Sequence, residues 1–214
     1  MLFRTIFFDL DDTLYPPNSG LWNAIRDRMV RYMIERLNIS PELVPELRKS
    51  YFETYGTTLK GLQIHYQINT DEFLAYVHDL PLHEYLKPDP ELRKIILSLP
   101  QNKWIFTNAD DAHARRVINQ LELTDCFYGI IDIKATEFIC KPELRAYQMA
   151  LSLTGEDNPS KCVLIEDSPR NIRPARELGF YTILLGKEND NIAHLTLDSL
   201  HELPHALPEL WGGN

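Results

Sequence analysis

Short apolar runs alternate along the chain with stretches in which apolar residues recur every three or four positions. Such runs are typical of strands buried on both faces of a parallel sheet, and they cover Thr5 to Leu10, Lys103 to Thr107, Gly129 to Ile133, Cys162 to Ile165 and Tyr181 to Leu185. The stretches between them predict helices over Pro90 to Leu99, Ala112 to Leu121, Pro142 to Leu153 and Asn171 to Leu178. The alternation predicts an α/β fold with a doubly wound parallel sheet.

The stretch from Tyr15 to Lys87 interrupts this alternation, because it contains amphipathic helical patterns and no strand pattern. We therefore expect an α/β catalytic core at residues 1–14 and 88–214, with an inserted all-helical cap at residues 15–87. The insertion leaves the sheet directly after the first strand. That position places it over the carboxyl ends of the strands, where ligands bind in open α/β folds.

Composition and charge narrow the class of partner. The chain has 214 residues and a formal net charge of −9, which repels nucleic acid polymers and anionic membrane surfaces. Three cysteines without CxxC spacing indicate reduced core thiols. The absence of a basic leader, and of any apolar run of roughly 20 residues, predicts a soluble, cytoplasmic protein. The oligomeric state is not predicted.

Acidic residues end the first predicted strand. Asp9 and Asp11 alternate with Leu10, so in extended geometry their carboxylates lie on one side of the chain. Such a pair repels and needs a cation, or a proton on one member. A carboxylate beside Mg²⁺ can attack phosphorus, and a protonated carboxyl can protonate the departing oxygen. We predict these roles for Asp9 and Asp11, with a simple acidic turn as the alternative.

A second strand end repeats the arrangement at Glu166, Asp167 and Ser168. Mg²⁺ prefers carboxylate and carbonyl oxygens. Asp9, Asp167 and the backbone carbonyl of Asp11 would therefore form a partial metal shell, supported by Glu166. The alternative is that Asp167 or Ser168 only caps the following helix.

Phosphoryl transfer also needs positive charge and hydrogen-bond donors, because acids alone repel a phosphate dianion. Thr107 and Asn108 follow a predicted strand, where the threonine hydroxyl and nearby main-chain amides can bind phosphate oxygens. Lys141, directly before Pro142, offers the cation. Taken singly, Thr107 could equally be a helix cap and Lys141 an ordinary surface lysine.

The order of these motifs resembles the haloacid dehalogenase superfamily of phosphatases, over nearly the whole chain. The motifs are DxDxT, Thr-Asn, Lys-Pro and Glu-Asp-Ser, each beside a predicted strand or helix. The resemblance implies a Rossmann-like doubly wound sheet with a helical cap, and Mg²⁺ as the cofactor. It makes Asp9 the nucleophile, Asp11 the general acid/base, and Thr107 and Lys141 the phosphate-binding residues. Asp9, Asp11 and Asp167 become the implied Mg²⁺ ligands.

Three shorter segments are similar to a pyrimidine 5′-nucleotidase-like branch of that superfamily: residues 55–62 (YGTTLKGL), 78–82 (HDLPL) and 107–109 (TNA). The implied substrate is a small phosphorylated metabolite, a pyrimidine nucleoside 5′-monophosphate in the first place, with Asn108 among the binding residues. Within the first segment we expect a cap loop, Thr57 to Gly61, that selects the leaving group through Thr58 and Lys60.

Other functions remain open from the residues. A sugar-phosphate or small-acid phosphatase would use the same site, and a phosphomutase would use both Asp9 and Asp11 while protecting the aspartyl phosphate from water. A 2-haloacid dehalogenase would need neither Asp11 nor Mg²⁺. A non-catalytic binding module would not require all the motif acids.

One metal-binding pattern is rejected at this stage. The segment from His201 to His205 matches HExxH by letter, but Pro204 disrupts the helix that would align the two histidines. We therefore expect no zinc site in the tail, and a short helix around Leu197 to His205.

Overall fold

A six-stranded parallel sheet forms the centre of the computed structural model, which describes residues 2–186 and 191–212. Its strand order is β3-β2-β1-β4-β5-β6. The strands are β1 Thr5–Phe8, β2 Asn102–Phe106, β3 Gly129–Ile131, β4 Cys162–Glu166, β5 Tyr181–Leu185 and β6 Leu195–Leu197. The predicted doubly wound parallel α/β fold is therefore confirmed. Residues 1, 187–190, 213 and 214, which the predicted catalytic core includes, lie outside the described residues.

Helices cover both faces of the sheet and the carboxyl edge of its strands. They are α1 Leu21–Glu35, α2 Val44–Tyr55, α3 Thr58–Tyr66, α4 Thr70–His78, α5 Leu82–Tyr85, α6 Pro90–Ser98, α7 Asp111–Gln120, α8 Leu144–Thr154, α9 Pro169–Leu178 and α10 Leu203–Ala206. Among the described residues, no helix combines the length and the apolar character needed to cross a membrane.

Alternating residues of the central strand separate the core into two layers. Ile6 and Phe8 of β1 belong to the apolar cluster that includes Ile96 of α6 and Val117 of α7. Phe7 points to the opposite face and belongs to a second cluster, whose members include Tyr147 of α8 and Ile172 of α9. This two-sided burial follows from the period of two in a strand, and it explains why the strands read as continuous apolar runs.

The first four helices between β1 and β2 form a group that we call the helical insertion (residues 21–78, α1 to α4). Its own packing includes an edge-to-face contact between Tyr32 of α1 and Phe73 of α4, with ring centroids 5.0 Å apart. Contacts to the rest of the chain include a hydrogen bond from Arg170 of α9 to the Phe52 carbonyl at 2.7 Å. The predicted domain boundaries at residues 14 and 88 stay a prediction.

The predicted loop from Thr57 to Gly61 is wrong, because this segment begins a helix. Thr57 is the N-cap of α3, and its hydroxyl accepts the Lys60 main-chain N–H at 3.1 Å. Gly61 lies inside α3, where a Cβ would be 2.1 Å from Cγ of Tyr51. Gly61 therefore allows the close approach of α3 to α2.

The tail also differs from the prediction. Leu195–Leu197 adds strand β6 to the sheet edge, whereas the predicted short helix is present as a 3₁₀ turn, Leu200–Glu202, that continues into α10, Leu203–Ala206. A run of three residues is too short to show a strand period, which is why this strand was missed.

Candidate active site

Acidic side chains from two neighbouring strands meet at the carboxyl edge of the sheet. β1 and β4 pair in parallel with Phe8 opposite Ile165, so Asp9 follows one strand beside the end of the other. The Asp9 main-chain N–H continues the pairing by donating to the Ile165 carbonyl at 2.9 Å. Strand register alone thus brings Asp9 and Glu166 together, as the sequence predicts for the two acidic strand ends.

Asp9, Glu166 and Asp167 form a cluster that could hold a metal ion. One carboxylate oxygen from each lies within 4.8 Å of the others. Burial, followed by the charge of Glu166, raises the pKa of both Asp9 and Asp167. Such crowding of buried acids is relieved by a cation, and an all-oxygen donor set suits Mg²⁺. The residues present therefore fit the predicted ion.

The side chain of Asp11 lies outside this cluster. Its carboxylate Oδ1 accepts hydrogen bonds from the Tyr15 hydroxyl, at 2.5 Å, and from Nε2 of His113, at 3.0 Å. A metal contact from Asp11 would therefore come through its backbone carbonyl, as the sequence reasoning proposes, and that contact stays a prediction.

Lys141 connects the two acidic strand ends. Its ammonium donates to Oδ1 of Asp9 at 2.7 Å, to Oε2 of Glu166 at 2.7 Å and to the Phe106 carbonyl at 2.8 Å. Burial alone would lower the pKa of Lys141, but Asp9 and Glu166 raise it above its usual range. The three acceptors use all three ammonium protons. In this arrangement Lys141 fixes the Asp9 carboxylate and supplies charge.

Thr107 and Asn108 follow β2 beside these acids. The Thr107 hydroxyl oxygen accepts the Ala109 N–H at 3.0 Å, which leaves its own proton free to donate to a ligand. The Asn108 side chain forms two hydrogen bonds with the main chain of Lys141, at 2.9 and 2.8 Å. Asn108 therefore holds the Lys141 segment with its side chain, and a substrate contact would use its main-chain amide.

His113 is a site residue that sequence reasoning missed. It lies on α7, is fully buried, and holds the Asp11 carboxylate. Its Nδ1 is buried without a hydrogen-bond partner among the described residues. Burial acts to raise the pKa of Asp11, but His113 and Tyr15 outweigh it and lower that pKa. The only signal in the sequence was a histidine on the apolar face of a predicted helix.

A second histidine supports the first. His78 ends α4 of the helical insertion and stacks on His113, with ring centroids 4.0 Å apart. Nδ1 of His78 lies 3.0 Å from Oδ1 of Asp110. Burial, followed by the charge of His113, lowers the pKa of His78 to about 4, so this ring is neutral near pH 7. The stack joins the helical insertion to the Asp11 side of the site.

A cavity of about 480 Å³ opens above the acids and is walled by the helical insertion. Asp9, Asp11, Thr107 and Lys141 line its sheet side, and side chains of α1 and α2 line the opposite side. Thr58 lines the cavity as predicted. Lys60 does not line it but lies in the first turn of α3, and the predicted substrate contacts of both residues stay predictions.

One histidine of the tail, His201, has structural partners. Nε2 of His201 lies 3.0 Å from Oδ2 of Asp89, and its Nδ1 lies 2.8 Å from the Ser199 hydroxyl. Asp89 is also the N-cap of α6, and its side chain accepts the main-chain N–H groups of Glu91 and Leu92. His201 thus anchors the tail to the start of α6, while His205 lies on α10.

Comparison with known proteins agrees with this geometry. The family model for haloacid dehalogenase-like hydrolases matches residues 3–179. The chain is 31% identical to Phosphate metabolism protein 8 of Saccharomyces cerevisiae over 192 residues, which are 82% of this chain and 59% of that protein. It is 26% identical to the glyceraldehyde 3-phosphate phosphatase of Methanocaldococcus jannaschii over 223 residues, 94% of this chain and 96% of that protein.

A solved structure shows the same fold. The HAD phosphatase from Thermococcus onnurineus superposes with a TM-score of 0.65 at 18% identity, covering 95% of this chain and 97% of that one. The chain belongs to the haloacid dehalogenase-like hydrolase family. It is thus an enzyme of the predicted hydrolase class, and two of these three matched proteins carry the name phosphatase. The pyrimidine nucleotidase branch is not established by these matches.

Proposed function

We propose that the chain is a Mg²⁺-dependent phosphomonoesterase that forms an aspartyl phosphate on Asp9. The observation that carries the proposal is the Asp9 carboxylate, buried at the cavity floor and held by Lys141 at 2.7 Å. One carboxylate oxygen is fixed there, so the other is available as a nucleophile. The name of the archaeal relative, a glyceraldehyde 3-phosphate phosphatase, supports the same class of reaction.

The metal would be held by Asp9 and Asp167, with Glu166 beside them and the backbone carbonyl of Asp11 as a further ligand. When bound, Mg²⁺ supplies positive charge that offsets the crowded carboxylates and the charge developing on the phosphoryl oxygens. The buried positions of Asp9 and Glu166 support this assignment.

The protein residues divide the reaction between them. An Asp9 oxygen bonds to phosphorus while the bond from phosphorus to the ester oxygen breaks. The arriving phosphate dianion favours the protonated form of Asp11, which gives that oxygen its proton. Water then attacks the aspartyl phosphate, Asp11 takes up its proton, and free phosphate and Asp9 are regenerated. The Thr107 hydroxyl and the charge of Lys141 stabilise the transferring oxygens. His113 positions Asp11 for both proton transfers.

The helical insertion serves as the predicted cap. Its helices wall the cavity above Asp9, and its contacts with α7 and α9 support a closed arrangement. Closure would exclude bulk water during the first step. We keep residues 15–87 as the cap and the remainder as the catalytic core.

The leaving group is proposed in two forms. The sequence favours a pyrimidine nucleoside 5′-monophosphate, and the exposed aromatic rings of Trp22 and Phe52 in the cavity wall are compatible with a base. A small phosphorylated acid is the second candidate. It is favoured by Arg26 and Arg48, two cations in the same wall.

The direct test is phosphate release from p-nitrophenyl phosphate across a Mg²⁺ titration. We expect activity that requires Mg²⁺ and is lost on chelation. Asp167→Ala should raise the Mg²⁺ concentration for half-maximal rate by about 10- to 100-fold, while the exposed Asp157→Ala should leave it unchanged. Full activity after chelation, or equal effects of both variants, would contradict the proposal.

A further inference from the structure

Two arginines of the helical insertion face the cavity without an acidic partner. Arg26 of α1 and Arg48 of α2 both line it. The only protein acceptor of the Arg26 side chain among the described residues is the Asn23 side-chain oxygen, at 2.7 Å. Nε of Arg48 is buried with no hydrogen-bond partner in that part of the chain. Neither guanidinium is paired with a carboxylate there.

Other arginines in or near the insertion have protein acceptors for their guanidinium groups. Arg28 donates twice to the Tyr76 carbonyl and lies 3.7 Å from Asp79. Arg116 donates to the carbonyls of His78 and Leu80. Burying a guanidinium nitrogen without a hydrogen-bond acceptor costs free energy. Arg48 differs from these arginines in this respect, and a bound ligand would supply the missing acceptor.

The two guanidiniums also act on each other. Burial first, and then the charge of Arg26, lower the pKa of Arg48, while Asp27 acts in the opposite direction without pairing with it. Lys49 adds a further cation to the same cavity wall. Its Nζ lies 3.9 Å from Oε1 of Glu53 on the same helix. The wall opposite the catalytic acids is therefore positive and short of anions.

We propose that Arg26 and Arg48 form a subsite for a second anionic group, a carboxylate or a phosphate, carried by the leaving group. The proposal rests on the proposed function, in which the first phosphate lies beside Asp9. An anion between the arginines would remove their mutual repulsion and supply acceptors to Arg48. The guanidinium fork matches the planar carboxylate and the phosphate group equally well.

A neutral leaving group satisfies these observations less completely. The carbonyl oxygens of a pyrimidine could accept hydrogen bonds, but they would leave two like charges without compensation. The nucleoside monophosphate is therefore the competing outcome of the test.

The test compares pairs of phosphate esters that differ in one group. 3-Phosphoglycerate and glycerol 3-phosphate differ by a carboxylate, and fructose 1,6-bisphosphate and fructose 6-phosphate differ by a phosphate. In at least one pair, we expect the ester with the additional anionic group to have a kcat/KM at least about tenfold higher, as a charge-assisted contact gives. Which pair shows the preference indicates whether the subsite binds a carboxylate or a phosphate. Uridine 5′-monophosphate is the neutral-leaving-group arm.

Variants separate the arginines from general effects. Arg48→Gln and Arg26→Gln should each remove most of the preference while changing kcat/KM for glycerol 3-phosphate or fructose 6-phosphate less than about threefold. Arg31→Gln is the matched control, because Arg31 lies on α1, is exposed and pairs with Glu35. It should preserve the preference. Circular dichroism checks that each variant is folded.

Binding separates failure of this subsite from failure of the proposed function. In an Asp9→Asn background without turnover, calorimetry with Mg²⁺ should show the preferred ester binding at least about tenfold tighter than its partner, and Arg48→Gln should abolish the difference. Hydrolysis without any such preference, or fastest hydrolysis of uridine 5′-monophosphate with unchanged rates in both arginine variants, would overturn the subsite alone. Absence of phosphate release from every ester would contradict the proposed function, and the binding difference would still decide the subsite.

Discussion

The carboxyl edge of the sheet and the helical insertion above it differ in how the cationic side chains that line the cavity are satisfied. At the sheet edge, the Lys141 ammonium donates all three of its hydrogen bonds to protein acceptors, and the Asp11 carboxylate accepts hydrogen bonds from two donors. In the insertion, Arg48 has a buried nitrogen with no partner in the described part of the chain. The difference suggests that the sheet edge is preorganised for one chemical step, whereas the insertion is completed by the substrate.

The largest effect is expected at the sheet edge, from Asp9→Asn. An amide cannot act as the nucleophile, so phosphate release should fall on the order of 10⁴-fold or more for every ester. Steady-state assays on p-nitrophenyl phosphate and glycerol 3-phosphate measure it, with the exposed Asp157→Asn as control. A loss of activity toward only one of the esters would mean that Asp9 determines specificity, and the proposed difference between the sheet edge and the helical insertion would then be wrong.

The Asp11→Asn substitution should have the next largest effect on the rate, and the size of that effect should depend on the leaving group. An alkyl ester needs a proton on its departing oxygen, so its kcat should fall about 10²- to 10⁴-fold. p-Nitrophenolate leaves with little need for a proton, and its release should suffer much less. Equal losses for glycerol 3-phosphate and p-nitrophenyl phosphate would contradict the acid role.

His113→Phe tests whether the sheet edge depends on a positioning residue. Phenylalanine keeps a ring against His78 but cannot donate to Asp11, so kcat for glycerol 3-phosphate should fall about 10-fold or more with little change in KM. The exposed His83→Phe on α5 is the control. If thermal unfolding shows an intact fold and kcat is unchanged, Asp11 does not need this hydrogen bond.

The smallest effects belong to α3 of the insertion. Thr58 lines the cavity and Lys60 does not. Thr58→Ala should lower kcat/KM for the best ester by about 2- to 10-fold, the cost of one hydrogen bond, and Lys60→Ala should change it by less than about twofold. A larger effect at Lys60 in the same substrate panel would show that its side chain reaches the substrate, as the sequence predicts.

Sequence reasoning located the sheet edge because strand ends carry a local signal. An apolar run followed by acids identified Asp9 and Asp167, and parallel pairing explains why they meet. The sequence could not identify His113 as a partner of Asp11, because the two residues are 102 positions apart. Their contact depends on how α7 packs. Only tertiary structure shows that a buried histidine on an apolar helix face has a carboxylate to hold.

The insertion was predicted less well for the same physical reason. Its helical character was evident from apolar stripes, but α3 looked like a loop because Thr57, Thr58 and Gly61 also occur in turns. Which arginines point into the cavity depends on the rotation of α1 and α2 about their axes. Apolar stripes define the buried face only, and Arg26 and Arg48 lie at its border.

Chemical trapping of the intermediate tests the central claim most directly. The enzyme is mixed with Mg²⁺ and p-nitrophenyl phosphate, quenched in acid during turnover, and reduced with borohydride, which converts an aspartyl phosphate to homoserine. Peptide mass spectrometry should then find homoserine at position 9 in wild type, with no such product in Asp9→Asn or when substrate is omitted. Homoserine at another aspartate, or none at all from an enzyme that releases phosphate at full rate, would contradict the account.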